Sequence, residues 1–414
     1  MLHRLLAIMS LSVVLAACSA VQAPPQAATE TPVQAEPVQA DSAPLAFELA
    51  LYRAAASEPG NQFISPYSMQ AAFGLLYPGA SGAIAREMQA VFGFPASSAE
   101  AIAQQAAREA ALGEAGGSEL NIANAVWVER TFSLRPAYER AVRDDLGSTV
   151  ETLDFAGNPD AARRRINAAV AEATRDRIPE LFGRGAISAD TVLALTNAVY
   201  FNGDWTQPFN EGNTSEGTFH AAGGDQTARL MRQTAHFRYI QDQSFQAADF
   251  DYDEGALALA VFLPRENSSI AAFESRLDGA QLRQWLTDLE GARTARLEVT
   301  LPRVEMNSDY DLVPIMRTMG VSAMFAPSSD LAGISAQAPL HVSAAVQKTF
   351  LAIDEEGTEA AAATGIGIVA TGAPAPLPPP IVFRADRPFF IVLRHKRSGA
   401  ILFMGRIAEM PPSS

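Results

Sequence analysis

Cysteine is almost absent: one residue, Cys18, in a chain of 414. No disulfide can close within the chain, and no thiolate-rich metal site can form. Histidine is nearly as scarce. His3, His220, His236, His341 and His395 never fall close together, and the spacing H-E-x-x-H does not occur. Positive charge is short as well, since 31 Lys and Arg face 46 Asp and Glu for a net charge of −15. No basic segment is long enough to track phosphates, so nucleic acid is not an expected partner. The longest basic run, Arg163-Arg164-Arg165, lies in the helical pattern DAARRRINAAVAEATRDRI and reads as a solvated helix face. Catalytic signatures are missing too: there is no G-x-S-x-G, no P-loop and no G-x-G-x-x-G. The acidic pairs Asp144-Asp145 and Asp253-Glu254 read as ordinary surface acids. No cofactor, no metal and no enzymatic activity are expected.

Only one long apolar run is present, and it opens the chain. In MLHRLLAIMSLSVVLAACSA a basic start at Arg4 precedes an apolar stretch from Leu5 to Ala17. That is short for a membrane span and reads as an export signal over residues 1–17. It ends in Leu15-Ala16-Ala17-Cys18, which resembles the lipobox of bacterial lipoprotein signals. The resemblance implies lipidation of Cys18 and anchoring in the cell envelope; the alternative is a simple secretory signal with an incidental cysteine. Ser19 follows, with no aspartate to mark inner-membrane retention, so an outer-membrane position is expected, facing the periplasm or the surface. Residues 18–43 are rich in Ala, Pro and Gln and carry too few large apolar side chains to fold. They read as an extended tether reaching on the order of 75 Å, at roughly 3.1 Å per residue.

Residues 44–411 read as one large domain without repeats. Its first half is mainly helical: APLAFELALYRAAA, SPYSMQAAFGLLY, SGAIAREMQAVFGF and AEAIAQQAAREAAL carry apolar residues at three- and four-residue spacing. Ser65 followed by Pro66 predicts a helix start. Strands enter with LNIANAVWVE and VLALTNAVYFNGDW. The back half is strand-rich, in GALALAVFLPR, ARLEVTLPRVEM, LHVSAAVQKTFLAID, RPFFIVLRH and AILFMGRIAE. Several are nearly continuous apolar runs, which predicts burial on both faces. The expected class is α+β, with helices packed around large mixed sheets.

Several segments, in order along residues 44–411, are similar to the serpin family. NQFISPYSMQAAFGLLYPGASG resembles the segment with the buried serine turn at Ser65, and LTNAVYFNGDWTQPF the central strand, through Asn197 and Trp205. Then come TFHAAGGDQTARLMRQTAHFRY, LPRVEMNSDYDLVPIMRTMGVSAMFAPSSDLAGIS, the hinge IDEEGTEAAAAT and the closing FRADRPFFIVLRHKRSGAILFMGRI. The resemblance implies the serpin fold with an exposed reactive-centre loop, here residues 355–380. It implies a sheet-opening region at Ser65, Asn197, Trp205 and Gln347. One position departs: the residue before Lys348, commonly histidine in the family, is Gln347, whose amide still offers donor and acceptor.

The loop segment EEGTEAAAATGIGIVATGAPAPLPPP runs from acids through small residues to prolines and commits to no element. Written as a strand from Thr358 to Thr371, one face carries Thr358, Ala360, Ala362, Thr364, Ile366, Ile368 and Ala370 and no charge. The other carries Glu359, Ala361, Ala363, Gly365, Gly367, Val369 and Thr371. It reads as a strand not yet admitted to its sheet. The resemblance implies a hinge at Glu355, Glu356, Gly357, Thr358, Glu359, Ala360, Ala361, Ala362 and Ala363, and a scissile bond near Thr371-Gly372. It also implies a monomer that traps a serine protease as a covalent acyl complex. Between Ala360 and Phe383 there is no Lys, Arg or aromatic residue, which suits shallow elastase- or subtilisin-like pockets. Papain-like cysteine proteases are the second class of target. A non-inhibitory serpin that only binds is the alternative.

Overall fold

The computed structural model describes residues 45–56, 59–112, 118–252, 255–337, 339–358 and 378–411. Local chemistry sets the early helices. After α1 (Ala46–Ala55) and the short strand β1 (Gln62–Ile64), α2 (Pro66–Gly74) starts where expected. Ser65 caps it, its Oγ accepting from the Ser68 N–H at 3.2 Å, and Pro66 takes the first turn, where its missing N–H costs nothing. α3 (Gly82–Phe92) stops at Gly93, whose φ of +71° is the left-handed cap that glycine adopts without strain. α4 (Ser98–Leu112) follows.

Strands then alternate with helices: β2 (Glu119–Glu129), α5 (Pro136–Arg140), β3 (Thr149–Leu153), α6 (Pro159–Ala173) and β4 (Leu193–Asp204). A run of strands comes next, β5 (Ser215–Ala221), β6 (Gly224–Gln241), β7 (Phe245–Tyr252) and β8 (Leu257–Pro264), before α7 (Ile270–Glu274) and α8 (Gly279–Gly291). The chain continues through β9 (Thr294–Pro302), β10 (Val304–Asp311), α9 (Leu312–Met319), β11 (Ala344–Ile353) and β12 (Gly357–Thr358). It ends in β13 (Ile381–Arg384), β14 (Phe389–His395) and β15 (Ala400–Ile407).

Two sheets collect these strands. One runs β1-β15-β14-β8-β7-β6-β9-β13, with β5 paired to β6. Every position of β8 and β14 in it is buried, as their unbroken apolar runs require. The other, here the central sheet, runs β10-β11-β4-β2-β3, with β12 on β4. It mixes directions, since β11 is parallel to β4 and β2 to β3 while the remaining pairs are antiparallel. An apolar layer of Phe63, Val199, Phe201, Phe250, Val299, Leu351 and Phe403 joins the two sheets. On the opposite face of the central sheet, α6 packs Ile166 and Val170 over Trp127, Ala194 and Ala198.

Two readings from sequence are corrected here. The run ARLEVTLPRVEM is two strands in different sheets, β9 and β10, broken at Arg303. Pro302 has no N–H to donate, and the Arg303 N–H still bonds to the Arg229 carbonyl beside β6 at 2.8 Å before Val304 pairs with Ile353 of β11. The run Arg163-Arg164-Arg165 is not uniformly a solvated face. Arg163 is buried, its guanidinium meeting Asp160 and Glu180 at 3.0 Å and the Phe182 carbonyl at 3.2 Å. Arg164 and Arg165 stay at the surface, and Asp144 and Asp145 are exposed as expected. Asp253 and Glu254 lie outside the described residues.

Candidate functional site

The site lies along the seam between β4 and β11. These parallel neighbours are partners only from Ala344↔Ala194 to Thr349↔Val199. Past that point β11 follows β10, and the end of β4 pairs instead with β12, Gly357 against Asp204 and Thr358 against Gly203. The seam is therefore closed along its lower part and occupied at its mouth by two residues of a third strand.

Buried amides close the lower part. Gln347 and Asn197 face each other in register, both without exposed surface. The Gln347 Oε1 accepts from the Ser65 N–H at 3.1 Å, and its Nε2 donates to the Ser65 carbonyl at 3.2 Å and to the Asn197 Oδ1. The Asn197 Nδ2 in turn donates to the Ser68 carbonyl at 3.0 Å, to the Ser68 Oγ and to the Asn124 Oδ1. Ser65 Oγ donates to the Leu402 carbonyl at 2.6 Å. One connected set thus ties β11, β4 and β2 of the central sheet to the start of α2 and to β15. Buried polar groups stay cheap only when fully partnered, and this set is. Glutamine meets every demand of its position with one donor and one acceptor end.

A second set grips the mouth. Trp205, the residue after β4, donates its backbone N–H to the Glu356 carbonyl at 2.7 Å and its indole N–H to the Asp354 carbonyl at 2.9 Å. The Phe209 N–H donates to the Glu355 carbonyl at 2.7 Å. Asp354 folds the connection into a turn, its Oδ1 accepting from the N–H groups of Glu356 and Gly357 at 3.0 and 3.1 Å. Glycine is required next. A Cβ on Gly357 would lie 2.0 Å from the Gly203 carbonyl oxygen and 2.8 Å from the Asp204 Cα, both backbone atoms that cannot swing aside. Thr358 then points inward, fully buried, its Oγ1 2.8 Å from the Tyr252 hydroxyl. Trp205 stacks on the Tyr252 ring at 4.2 Å.

Charge holds the same place. The buried Glu355 carboxylate accepts from Thr214 and from Arg303, whose Nε lies 2.5 Å from Oε2. Burial pushes this carboxyl up, but the donors from Arg303 and Thr214 outweigh it and hold Glu355 below the usual carboxylate range. The hydrogen bond to Glu355 correspondingly raises Arg303.

Sequence reasoning thus placed Ser65, Asn197, Trp205, Gln347, Glu355, Glu356, Gly357 and Thr358 in positions that prove to be spatially joined along one seam. Cys18, Glu359, Ala360, Ala361, Ala362, Ala363, Thr371 and Gly372 lie outside the described residues. Arg303, Thr214, Tyr252, Asp354, Ser68 and Asn124 were missed. None left a signal in the sequence, since even Arg303 shares the run ARLEVTLPRVEM with a second cation, Arg296.

A sequence profile described as serpin, serine protease inhibitor, matches residues 42–410. The chain belongs to the serpin family. An uncharacterized serpin-like protein of Thermococcus kodakarensis is 33% identical over 87% of this chain and 83% of its own. The leukocyte elastase inhibitor of Bos taurus is 32% identical over 84% of this chain and 93% of its own. Among solved structures, Serpin48 of Tenebrio molitor superposes with a TM-score of 0.77 at 26% identity, covering 88% of this chain and 96% of that one. The fold is therefore the serpin fold, and relatives with this architecture are named as protease inhibitors.

In this serpin Arg303→Met leaves the Glu355 carboxylate buried beside no cation. At pH 7 stability should fall by about 2 kcal/mol, less than for a fully buried pair because Arg303 is half-exposed. The loss should shrink as pH falls. In the variant burial raises Glu355, which protonates early and regains stability on acidification. In wild type the depressed carboxyl contributes until pH drops through its folded pKa, and then that contribution is lost. Thermal midpoints of both proteins from pH 7 to 3 measure the gap; a gap independent of pH would refute the pairing as its cause.

Proposed function

We propose that this serpin is a suicide-substrate inhibitor of small-residue-preferring serine proteases. The observation that carries the reading is Thr358. It pairs antiparallel to β4, is fully buried, and belongs to the alternate set that the sequence makes uncharged. A strand continuing from Thr358 between β4 and β11 would run antiparallel to both. It would turn Ala360, Ala362, Thr364, Ile366, Ile368 and Ala370 inward and Glu359 outward.

The chemistry follows from that geometry. A protease serine attacks the carbonyl carbon near Thr371, the amide nitrogen of Gly372 leaves with a proton, and an ester joins the two proteins. The freed segment enters the seam. Thirteen residues from Glu359 to Thr371, each gaining roughly 0.5–1.5 kcal/mol per new hydrogen bond, supply on the order of 10 kcal/mol. Their inserted length is about 43 Å, enough to carry the acylated protease away from its docking position. Small inward residues and the lack of proline before Pro374 favour fast entry. The absence of Lys, Arg and aromatics between Ala360 and Phe383 favours elastase- or subtilisin-like targets, with papain-like cysteine proteases second. The leukocyte elastase inhibitor among its relatives points the same way. The lipobox-like Leu15-Ala16-Ala17-Cys18 adds export and a lipid anchor in the cell envelope.

Ala362→Arg places on the inward set, downstream of the already buried Thr358, a cation that insertion must bury, at a cost of about 3–5 kcal/mol while it is unpaired. Attack at Thr371 should be untouched, so the variant should be cut and should release active enzyme. Denaturing gels score SDS-stable complex against cleaved product; full complex yield from the variant would count against insertion as the inhibitory step. If wild type gives neither complex nor loss of protease activity, the non-inhibitory binding role takes its place.

Thr371→Arg should transfer part of the preference to trypsin-like enzymes, because a guanidinium pairs with a carboxylate at the pocket base. Second-order inhibition rates, with mass spectrometry of the released C-terminal peptide, test this. A wild type that inhibits trypsin as fast as elastase, or a peptide starting far from Gly372, would move the scissile bond elsewhere.

Cys18→Ala should shift the protein from the membrane fraction to the soluble fraction or leave the signal uncleaved. Wild-type protein found fully soluble and without lipid would sink the anchor.

A further inference from the structure

We propose that Asp249 and Arg394, buried together beneath α8, form a proton-uptake site: on mild acidification Asp249 takes a proton on its unpartnered oxygen and the folded protein gains stability. Neither residue belongs to the central sheet, so the site is independent of the inhibitor reading. Alternation places the pair. Phe250 and Tyr252 of β7 turn into the layer between the sheets. Asp249 and Asp251 therefore turn to the opposite face, where Leu286 and Leu289 of α8 pack with Ala247, Ala260 and Val392. Asp249 is 3% exposed and Arg394 2%. The Arg394 Nη2 donates to the Asp249 Oδ2 at 2.6 Å, and its Nη1 reaches the Glu290 carboxylate of α8 at 3.4 Å.

The pairing is incomplete. Among the described residues neither the Asp249 Oδ1 nor the Arg394 Nε has a hydrogen-bond partner, and both atoms are buried. A bare carboxylate oxygen out of reach of water makes the charged form costly, and a proton placed on it removes most of that cost. The surrounding charges come from four elements. Besides Arg394 of β14 and Glu290 of α8, Arg238 of β6 stands opposite Asp249. Asp251 lies two residues further along β7, held by Arg238 at 2.9 Å and by Lys396, just past β14, at 2.7 Å. On β8, Ala258 and Ala260 fill the places between β7 and β14 and bring no charge. A cavity of about 190 Å³, lined by Trp205, Gln207, His236, Arg238, Asp249 and Asp251, opens beside the cluster and gives protons a way in.

Burial decides the direction. It is the largest influence on Asp249, and Asp251 adds to it, while Arg394, Lys396 and Arg238 pull the other way without prevailing. The carboxyl is pushed up from 3.8 to about 6. In the unfolded chain the same group keeps its ordinary value, so the native state holds a proton that the unfolded state has released. The linked stability is complete below about 3.8 and lost as pH rises through about 6. Between about pH 7.5 and pH 5 this one group shifts the folding equilibrium roughly tenfold toward the native state. Glu355 works with the opposite sign, since its depressed carboxyl loses its contribution in acid.

The test follows the NMR resonance of the Asp249 carboxyl carbon in the full chain, labelled at aspartate, as the pH is lowered from about 8 to about 4. A titration midpoint above about 5 upholds the site, and one at about 5 or below overturns it. Thermal midpoints are then compared at about pH 7.5 and pH 5 for wild type and for Asp249→Asn, which keeps the shape and loses the titration. Wild type should gain about 2 °C on the variant as the pH falls, the reading of a tenfold shift in a chain of this size. A gap that stays constant, or that moves against wild type, overturns the proposal whichever protein is the more stable. Should Asp249→Asn not fold, the carboxyl resonance of the wild-type protein decides alone.

Discussion

Two amide side chains facing each other across a parallel strand pair, Gln347 and Asn197, hold together elements that are far apart in the chain. Neither touches water, and between them they reach the start of α2, β2 and, through Ser65, β15. A buried amide with all its partners contributes modestly to stability, but one stripped of them is expensive. The closed seam therefore has no gradual way of loosening here: its polar set is either complete or costly. That is how a buried network specifies a state more than it stabilises one.

The mouth of the seam obeys a different constraint, one of space. Backbone lies so close to Gly357 that no side chain fits, and the following threonine spends its hydroxyl on Tyr252. Glu355 is buried only because Arg303 and Thr214 reach it. The strand that starts here is thus anchored by charge behind, pinned by a glycine, and directed by an inward threonine.

Much of this was legible beforehand, and the reasons are local. β4 and β11 are long apolar runs, and the Ser65-Pro66 start is a short-range capping pattern. What could not be read depends on distance along the chain. Arg303 looked like one more strand residue because the apolar pattern of LPRVEM runs straight through it; its partner Glu355 sits 52 positions away. Arg163 looked solvated because nothing in a helix period announces that Glu180 and the Phe182 carbonyl fold back over it. Tyr252 and Asn124 are ordinary strand residues until the sheet brings them to Thr358 and Asn197.

The helix laid over the central sheet is attached unevenly. Of the strands beneath it, β2 gives its cluster the bulky Trp127, with Arg165 lying over the ring. Toward the seam the same cluster thins to Ala194 and Ala198 of β4 and the partly buried Ala344 and Val346 of β11. Apolar adhesion scales with the area covered, so α6 is glued along one edge and rests lightly along the other. It is built like a lid hinged on the far side of the gap. A strand sliding up between β4 and β11 would meet the loose edge and need to break only contacts among small side chains, with the aromatic hinge left intact to bring the lid down again.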